Sequence, residues 1–97
     1  MFDKMKALMD MQKKMGEVKR ELDNTNFEIS SSNGLVKITM NGSQEVQNVV
    51  IQGDLKDADK SGLEKAIEDA YNRALKRSHE IAAVKMKQVT GFNLPGL

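Results

Sequence analysis

The residues of this chain that could carry out catalysis are few and poorly arranged for it. His79 is the only histidine, and its neighbours Arg77 and Glu80 are typical of a solvated helix surface. A general base instead needs a partner that positions it within hydrogen-bond reach. Acidic pairs such as Glu64 and Glu68 lie four residues apart, but carboxylate metal sites need more inward-facing ligands, usually with histidine among them. The sequence therefore predicts no catalytic residue and no metal site.

Methionine is the other residue type whose chemistry needs an explanation. The methionines at 5, 9, 11 and 15 cluster near the N-terminus, and thioethers can bind Cu(I). Methionine more often fills adaptable apolar surfaces, so we predict packing. The chain has no cysteine, which excludes disulfides and thiolate ligands and fits a reducing cytoplasm. It also lacks a phosphate-binding loop, a dinucleotide-binding glycine pattern and a nucleophile elbow. We expect a protein that is not an enzyme, with no cofactor and no small-molecule substrate.

Composition predicts one small domain that gains stability by self-association. The 97 residues are only 39% hydrophobic and 4% aromatic, so a monomer has a marginal core. A single domain over residues 1–97 is expected. No apolar run approaches the roughly 20 residues of a membrane span, and the N-terminus has no apolar signal core. The sequence predicts a cytoplasmic protein that does not enter membranes.

Residues 1–23 form the first of two predicted helices. The apolar side chains at 8, 11, 15, 18 and 22 are spaced 3, 4, 3 and 4 residues apart, as in the seam of a coiled coil. Such a stripe is narrow, so it suits contact with one partner helix better than burial in a broad core. The short polar side chains at 23–26 compete for backbone hydrogen bonds and end the helix.

Three β-strands are predicted between the helices. Apolar and polar residues alternate at 26–30 and at 36–40, which is the period of half-buried strands. Asn41-Gly42 predicts a type I′ turn with positive φ at both residues. The third strand covers residues 46–51, where the alternation slips between Val46 and Val49 and predicts a β-bulge.

The second predicted helix runs from about Asp59 to Val89. Its start has candidate capping residues at 57, 59 and 61, and Arg77 occupies the apolar seam between Ala74 and Ile81. The fold class is α+β, with αβββα order and a three-stranded antiparallel meander flanked by two long helices. Residues 91–97 are expected to form a flexible tail.

Positive charge is concentrated on the two helices. Residues 1–20 contain six basic and three acidic side chains, and residues 73–87 contain five basic and one acidic. The sheet region, 26–58, has two basic and four acidic residues. A polyanion should therefore meet the helices first.

The segment Gly34-Leu-Val-Lys-Ile-Thr-Met-Asn-Gly42, with a charged helix on each side and the tail Gly91-Phe-Asn-Leu-Pro-Gly96, resembles the YbaB/EbfC family of bacterial nucleoid-associated proteins. The resemblance covers nearly the whole chain. It implies a homodimer shaped like tweezers, with paired sheets in the middle and helices projecting at either end. It also implies binding to double-stranded DNA, a place on the nucleoid and, as a further role, gene regulation.

The resemblance and the charge pattern together assign two sets of residues. Exposed cations on the helices would contact phosphates, largely without regard to base sequence. The predicted DNA-binding residues are Lys13, Lys14, Lys19, Arg20, Arg73, Lys76, Arg77, Lys85 and Lys87. The predicted dimer contacts are the strand residues Val36, Ile38, Val49 and Ile51.

A prefoldin-like interaction protein or chaperone is the alternative interpretation. Two helices that flank a β segment could pack against each other and grip apolar clients. The two functions differ in what packs against the apolar stripe at 8–22. An intramolecular antiparallel seam with residues 67–84 favours the chaperone, whereas helices splayed around a dimer favour DNA binding.

Overall fold

The computed structural model describes residues 2–54 and 59–90. Its elements are the helix α1 (Phe2–Asp23), the strands β1 (Asn26–Ser30), β2 (Val36–Asn41) and β3 (Val46–Ile51), and the helix α2 (Lys60–Thr90). The three strands form one antiparallel sheet in the order β1-β2-β3. This arrangement confirms the predicted αβββα fold, while the predicted tail at 91–97 lies outside the described residues.

The core lies between β2 and the first half of α2. Val36, Ile38 and Met40 point from β2 toward α2 and are at most 2% exposed. Opposite them, α2 presents the small buried side chains Ala66, Ala70 and Ala74. Four-residue spacing keeps these alanines on one face of the helix. Their small size lets α2 lie close to the sheet.

Asp59 fixes the start of α2. Its carboxylate oxygen Oδ1 accepts a hydrogen bond from the backbone N–H of Gly62 at 2.5 Å. This is the bond that an N-capping aspartate makes with the third residue of a helix. Of the three predicted candidates, Asp59 is therefore the cap; Asp57 lies outside the described residues.

The turn between β2 and β3 differs from the prediction. Neither Asn41 nor Gly42 has positive φ; the residue in the left-handed region is Gln44, with φ 65°. Gln44 N donates to Asn41 O at 3.2 Å and Asn41 N donates to Glu45 O at 3.0 Å. The hairpin therefore has a three-residue loop, in which the left-handed residue comes last. The prediction of a type I′ turn was wrong because the hairpin closes between Asn41 and Glu45 around three residues, whereas a type I′ hairpin turn has two.

Gly42 lies close to the end of α1. A Cβ atom on residue 42 would lie 2.8 Å from Leu22 Cδ2 and 3.2 Å from Leu22 O. A larger residue here would have to displace Leu22, so the close approach favours glycine. The predicted bulge in β3 is confirmed, because Thr39 pairs with Asn48 while Met40 pairs with Val46.

Beyond the sheet, α1 and α2 run side by side in opposite directions. Ser78 of α2 lies beside the end of β2, where its hydroxyl donates to Asn41 O at 3.1 Å. Two turns further on, Lys85 reaches Glu21 of α1, and Val18 is buried nearby. We call residues 11–23 of α1 and 76–90 of α2 the arm. The protein is accordingly elongated, with extents of 67 × 23 × 16 Å.

Candidate nucleic-acid interface

The arm carries most of the predicted DNA-binding residues. It contains eight basic side chains and four acidic ones. Seven of the eight basic side chains are exposed and the eighth, Lys85, is half-buried. Its basic residues are Lys13, Lys14, Lys19, Arg20, Lys76, Arg77, Lys85 and Lys87. The structure thus brings eight of the nine predicted residues together.

Ion pairs within the arm neutralise most of its acidic side chains. Glu17 is the one carboxylate of the arm without an ion pair among the described residues. The pairs are Asp23 with Lys19 at 3.3 Å, Glu80 with Arg77 at 3.5 Å, and Glu21 with Lys85 at 2.6 Å. Within the described part of the chain, the basic residues left without an ion pair are Lys13, Lys14, Arg20, Lys76 and Lys87. The arm therefore offers five free cations against one free carboxylate.

Lys85 differs from the other basic residues. Its side chain is 30% exposed, and its ammonium group bonds across the two helices to Glu21. It holds the helices together, so it is a poor candidate for a phosphate contact.

Arg77 does not occupy the apolar seam. Its side chain is 56% exposed, whereas Ser78 is fully buried. Residue 78 lies four residues after Ala74 and three before Ile81, and this spacing keeps all three on one helical face. The placement of Arg77 between Ala74 and Ile81 was therefore wrong, and its guanidinium group faces solvent.

Arg73 lies outside the arm, one turn closer to the start of α2. Its Nε donates to Asp69 Oδ1 at 3.1 Å. The other carboxylate oxygen of Asp69 accepts from both the N–H and the hydroxyl of Ser32, each at 2.7 Å. These Ser32 hydrogen bonds, followed by Arg73, lower the pKa of Asp69. Arg73 thus takes part in joining the β1–β2 turn to α2.

Lys6, which is not among the predicted DNA-binding residues, lies in line with two of them on α1. Lys6, Lys13 and Arg20 follow one another at seven-residue intervals, which places them along one face of α1. All three are exposed. The seven-residue spacing is the signal in the sequence that places Lys6 on this face, although Asp3 and Asp10 balance Lys4 and Lys6 at this end of the helix.

The structure divides the predicted dimer contacts into two groups. Val36 and Ile38 are buried in the protomer's own core. Val49 and Ile51 are 49% and 40% exposed, although they pair with the two buried residues and point to the same face of the sheet. The reason is that α2 packs on β1 and β2 and leaves β3 uncovered.

The uncovered apolar surface continues onto α2. Asp69 bonds to Ser32 beside β1, whereas Tyr71 projects from the opposite flank of α2, about 200° around the helix axis. Tyr71 and Ile67 are exposed, as is Val46 of β3. We call Val46, Val49, Ile51, Ile67 and Tyr71 the β3 patch.

The stripe at 8–22 is covered at one end only. Val18 is buried and Leu22 is half-buried, where α1 meets α2. Toward the N-terminus, Met5, Leu8 and Met9 are 64%, 63% and 66% exposed. The antiparallel seam named for a chaperone is therefore formed in part, by the C-terminal half of the stripe, and the N-terminal half has no cover among the described residues.

Three other features of the described residues bear on function. A cavity of about 530 Å³ opens at the far end of the sheet, and its lining includes Asp54 and Asp59, which disfavour phosphate. Among the described residues there is no cluster of three metal-binding side chains. No helix in the described ranges is long and apolar enough to cross a membrane.

Comparison with known proteins agrees with the fold and shows the family. The chain is 37% identical over 95 residues to a nucleoid-associated protein of Clostridium novyi, covering 96% of this chain and 83% of that protein. It is 39% identical over 93 residues to a nucleoid-associated protein of Granulibacter bethesdensis, covering 94% and 87%. An uncharacterised protein of Helicobacter pylori has the same fold, with a TM-score of 0.72 and 24% identity over 84% of this chain and 87% of that one. Residues 1–93 match the profile of the YbaB/EbfC DNA-binding family, and the chain belongs to this family.

Proposed function

We propose that the protein binds double-stranded DNA as a homodimer, through contacts between phosphates and the basic residues of the arm. The observation that carries this proposal is the balance of free charge in the arm. Lys13, Lys14, Arg20, Lys76 and Lys87 have no internal ion pair among the described residues, and only Glu17 opposes them. In the cell, such binding would place the protein on the nucleoid and let it take part in nucleoid organisation and gene regulation.

The physical basis of binding is the release of counterions from DNA. Duplex DNA carries about one negative charge per 1.7 Å, and each phosphate neutralised changes the logarithmic salt dependence by about 0.9. Lysine and arginine side chains that reach phosphates fix the protein on the duplex without reading its sequence. The proposed contacts therefore predict strong salt dependence and weak preference among sequences.

A second copy of the chain is the proposed occupant of the β3 patch. β3 is an edge strand with unpaired backbone groups, and its apolar side chains are exposed. Open edges with apolar side chains tend to pair with another chain. A twofold contact would cover the same patch on both protomers. Val49 and Ile51 remain proposed contacts, whereas Val36 and Ile38 would support them from the neighbouring strand.

Charge reversal in the arm tests the DNA-binding proposal. Lys13→Glu and Lys76→Glu should each weaken binding to every duplex and lower the salt slope by about one unit or more. Lys60→Glu is the matched control, because Lys60 is an exposed lysine of α2 that lies outside the arm. Fluorescence anisotropy with labelled duplexes of two unrelated sequences, over a salt series, measures both quantities. If the arm variants behave like Lys60→Glu, the arm is not the binding surface.

The exposed apolar side chains near the N-terminus of α1 support a second candidate function. Met5, Leu8 and Met9 form an apolar surface of the kind that could hold an unfolded client in a prefoldin-like protein. Suppression of the aggregation of a denatured protein, lost in Leu8→Lys, would support that function. Unchanged DNA affinity in both arm variants would favour it further.

A further inference from the structure

The β2–β3 turn supplies hydrogen bonds to the end of α1. The last four carbonyl groups of a helix have no partner within it. The carbonyl oxygens of residues 20 and 21 accept hydrogen bonds from residues 24 and 25, which directly follow the helix. Leu22 O also accepts from outside the helix, from Gly42 N at 2.9 Å. The turn therefore acts as a tertiary cap on α1.

Asn41 extends this cap to both helices of the arm. Its side-chain Nδ2 donates to Asp23 O, the last carbonyl of α1, at 3.2 Å. Its backbone oxygen accepts the hydroxyl of Ser78 from α2 at 3.1 Å. Its Oδ1 accepts from the N–H groups of Ser43 and Glu45 at 3.0 and 2.9 Å. Asn41 is thus held rigidly in the turn and bonded to both helices where they leave the sheet.

Both Asn41 and Ser78 are fully buried polar residues. A buried polar group is stable only when its hydrogen bonds are made, so removing one partner costs free energy. The geometry at these two residues is therefore strongly specified. The covalent link between α1 and the sheet, residues 24–25, is too short to swing far but does not by itself fix an angle.

We propose that Asn41 and Ser78 are positioning residues, which set the direction of the arm relative to the sheet. They thereby decide how many basic residues reach phosphates of one duplex at the same time. This inference rests on the DNA binding proposed above. α1 is about 33 Å long, at 1.5 Å per residue. A rotation of about 10° at Asp23 therefore moves Phe2 by about 6 Å, nearly two base steps of 3.4 Å.

The first test uses substitutions that change no charge. Asn41→Ala and Ser78→Ala should weaken DNA binding about tenfold and lower the salt slope by about one to two units, because fewer phosphates are neutralised together. Ser31→Ala is the matched control. Ser31 is also a buried serine, bonded to Asn33 and Val36 at the opposite end of β2. It should lower the melting temperature without changing the salt slope.

The second test measures arm direction without DNA. The chain has no cysteine, so Gln12→Cys on α1 and Ser30→Cys on β1 can carry two spin labels. Excess unlabelled protein restricts the electron–electron distance to one protomer. Ser78→Ala should shift or broaden the distance distribution, and Ser31→Ala should leave it unchanged. If Asn41→Ala does not fold, Ser78→Ala alone decides both tests.

The two tests separate failure of this inference from failure of the proposed function. Absence of DNA binding in the unsubstituted protein would remove the proposed function, while the distance measurement would still decide arm positioning. An unchanged distance distribution in Ser78→Ala, together with an unchanged salt slope, would overturn the positioning role. A shifted distribution with a reduced salt slope would establish it.

Discussion

Lys85 of α2 and Glu21 of α1 form an ion pair of 2.6 Å that joins the two helices beyond the edge of the sheet. The pair has two effects on the arm. Among the described residues it is the one ion pair that joins α1 to α2, and it occupies a carboxylate that would otherwise repel phosphate. Lys85, which the sequence predicts as a DNA-contacting residue, therefore stabilises the arm through a contact within the protein.

Removal of this ion pair should affect stability and DNA affinity together. Lys85→Ala leaves Glu21 unpaired, so we expect a loss of about 0.5–1 kcal/mol in the free energy of unfolding and weaker DNA binding. Lys87→Ala, two residues away, removes an exposed free cation and should weaken binding without a stability loss. Thermal unfolding followed by circular dichroism measures the stability of both variants, and fluorescence anisotropy measures their DNA affinity. Equal stability of the two variants would contradict the role of Lys85.

Charges in the β3 patch should separate the protomers. Val49→Lys and Ile51→Lys place ammonium groups where a second copy is proposed to pack, and burial of an unpaired charge is strongly unfavourable. Sedimentation equilibrium at micromolar concentration should give a dimer mass for the unsubstituted protein and a monomer mass for the double variant. Ser30→Lys on the opposite edge strand is the control and should leave the dimer intact. A monomeric unsubstituted protein would exclude the dimer.

Gln44→Gly should stabilise the protein. Gln44 has φ 65°, and this left-handed conformation costs a residue with a Cβ atom about 1–2 kcal/mol. Part of that gain is offset by the greater freedom of glycine in the unfolded chain, so we expect a net gain of about 0.5–1 kcal/mol. Chemical denaturation gives the value, and an unchanged slope against denaturant would show that the two variants expose the same surface area on unfolding. A destabilised variant would show that the Gln44 side chain makes a needed contact.

Acid should weaken the attachment of the β1–β2 turn to α2. The hydrogen bonds from Ser32, followed by Arg73, lower the pKa of Asp69 below its ordinary value of 3.8. Because the unfolded chain then binds the proton more readily, the contribution of Asp69 is present above pH 3.8 and is lost as pH falls through the lower folded pKa. Asp69→Asn should flatten the acid end of the stability curve. Measurement of unfolding at several pH values below 5 checks this, and Asp10→Asn is the control.

Asp23 makes a similar pH-dependent contribution to stability at the other end of the sheet. The Ser43 hydroxyl and then Lys19 lower its pKa. The acid loss should therefore be reduced, and not abolished, in Asp69→Asn. A variant with both residues replaced by asparagine should show the flattest acid limb.

Local sequence patterns were sufficient for the order of elements and for the bulge in β3. The alternation at 36–40 and the 3-4 spacing of α1 depend on neighbours along the chain, so they can be recognised without coordinates. Gly42 shows where this reasoning ends. Its sequence context with Asn41 predicts a local turn type, but a Cβ atom at this position would crowd Leu22, twenty residues earlier.

The candidate site was predicted in outline and not in detail. Charge counts along the chain located the basic surface, because exposed side chains on one helix segment share their surroundings. The sequence could not show which basic side chains lack an ion pair, because pairs such as Lys85 with Glu21 form only when the two helices come together. Likewise, β2 and β3 have similar apolar faces, and only the position of α2 decides that Ile38 is buried while Val49 is exposed.

The exposure of each methionine also determines how readily its thioether is oxidised. With no cysteine to react first, peroxide must act on thioether sulfur, and its rate depends on access. Met5 and Met9 stand in solvent while Met40 is sealed beneath α2. Sulfoxide should therefore form on the free end of α1 long before it reaches the core, so that damage begins at a place where the fold can tolerate it.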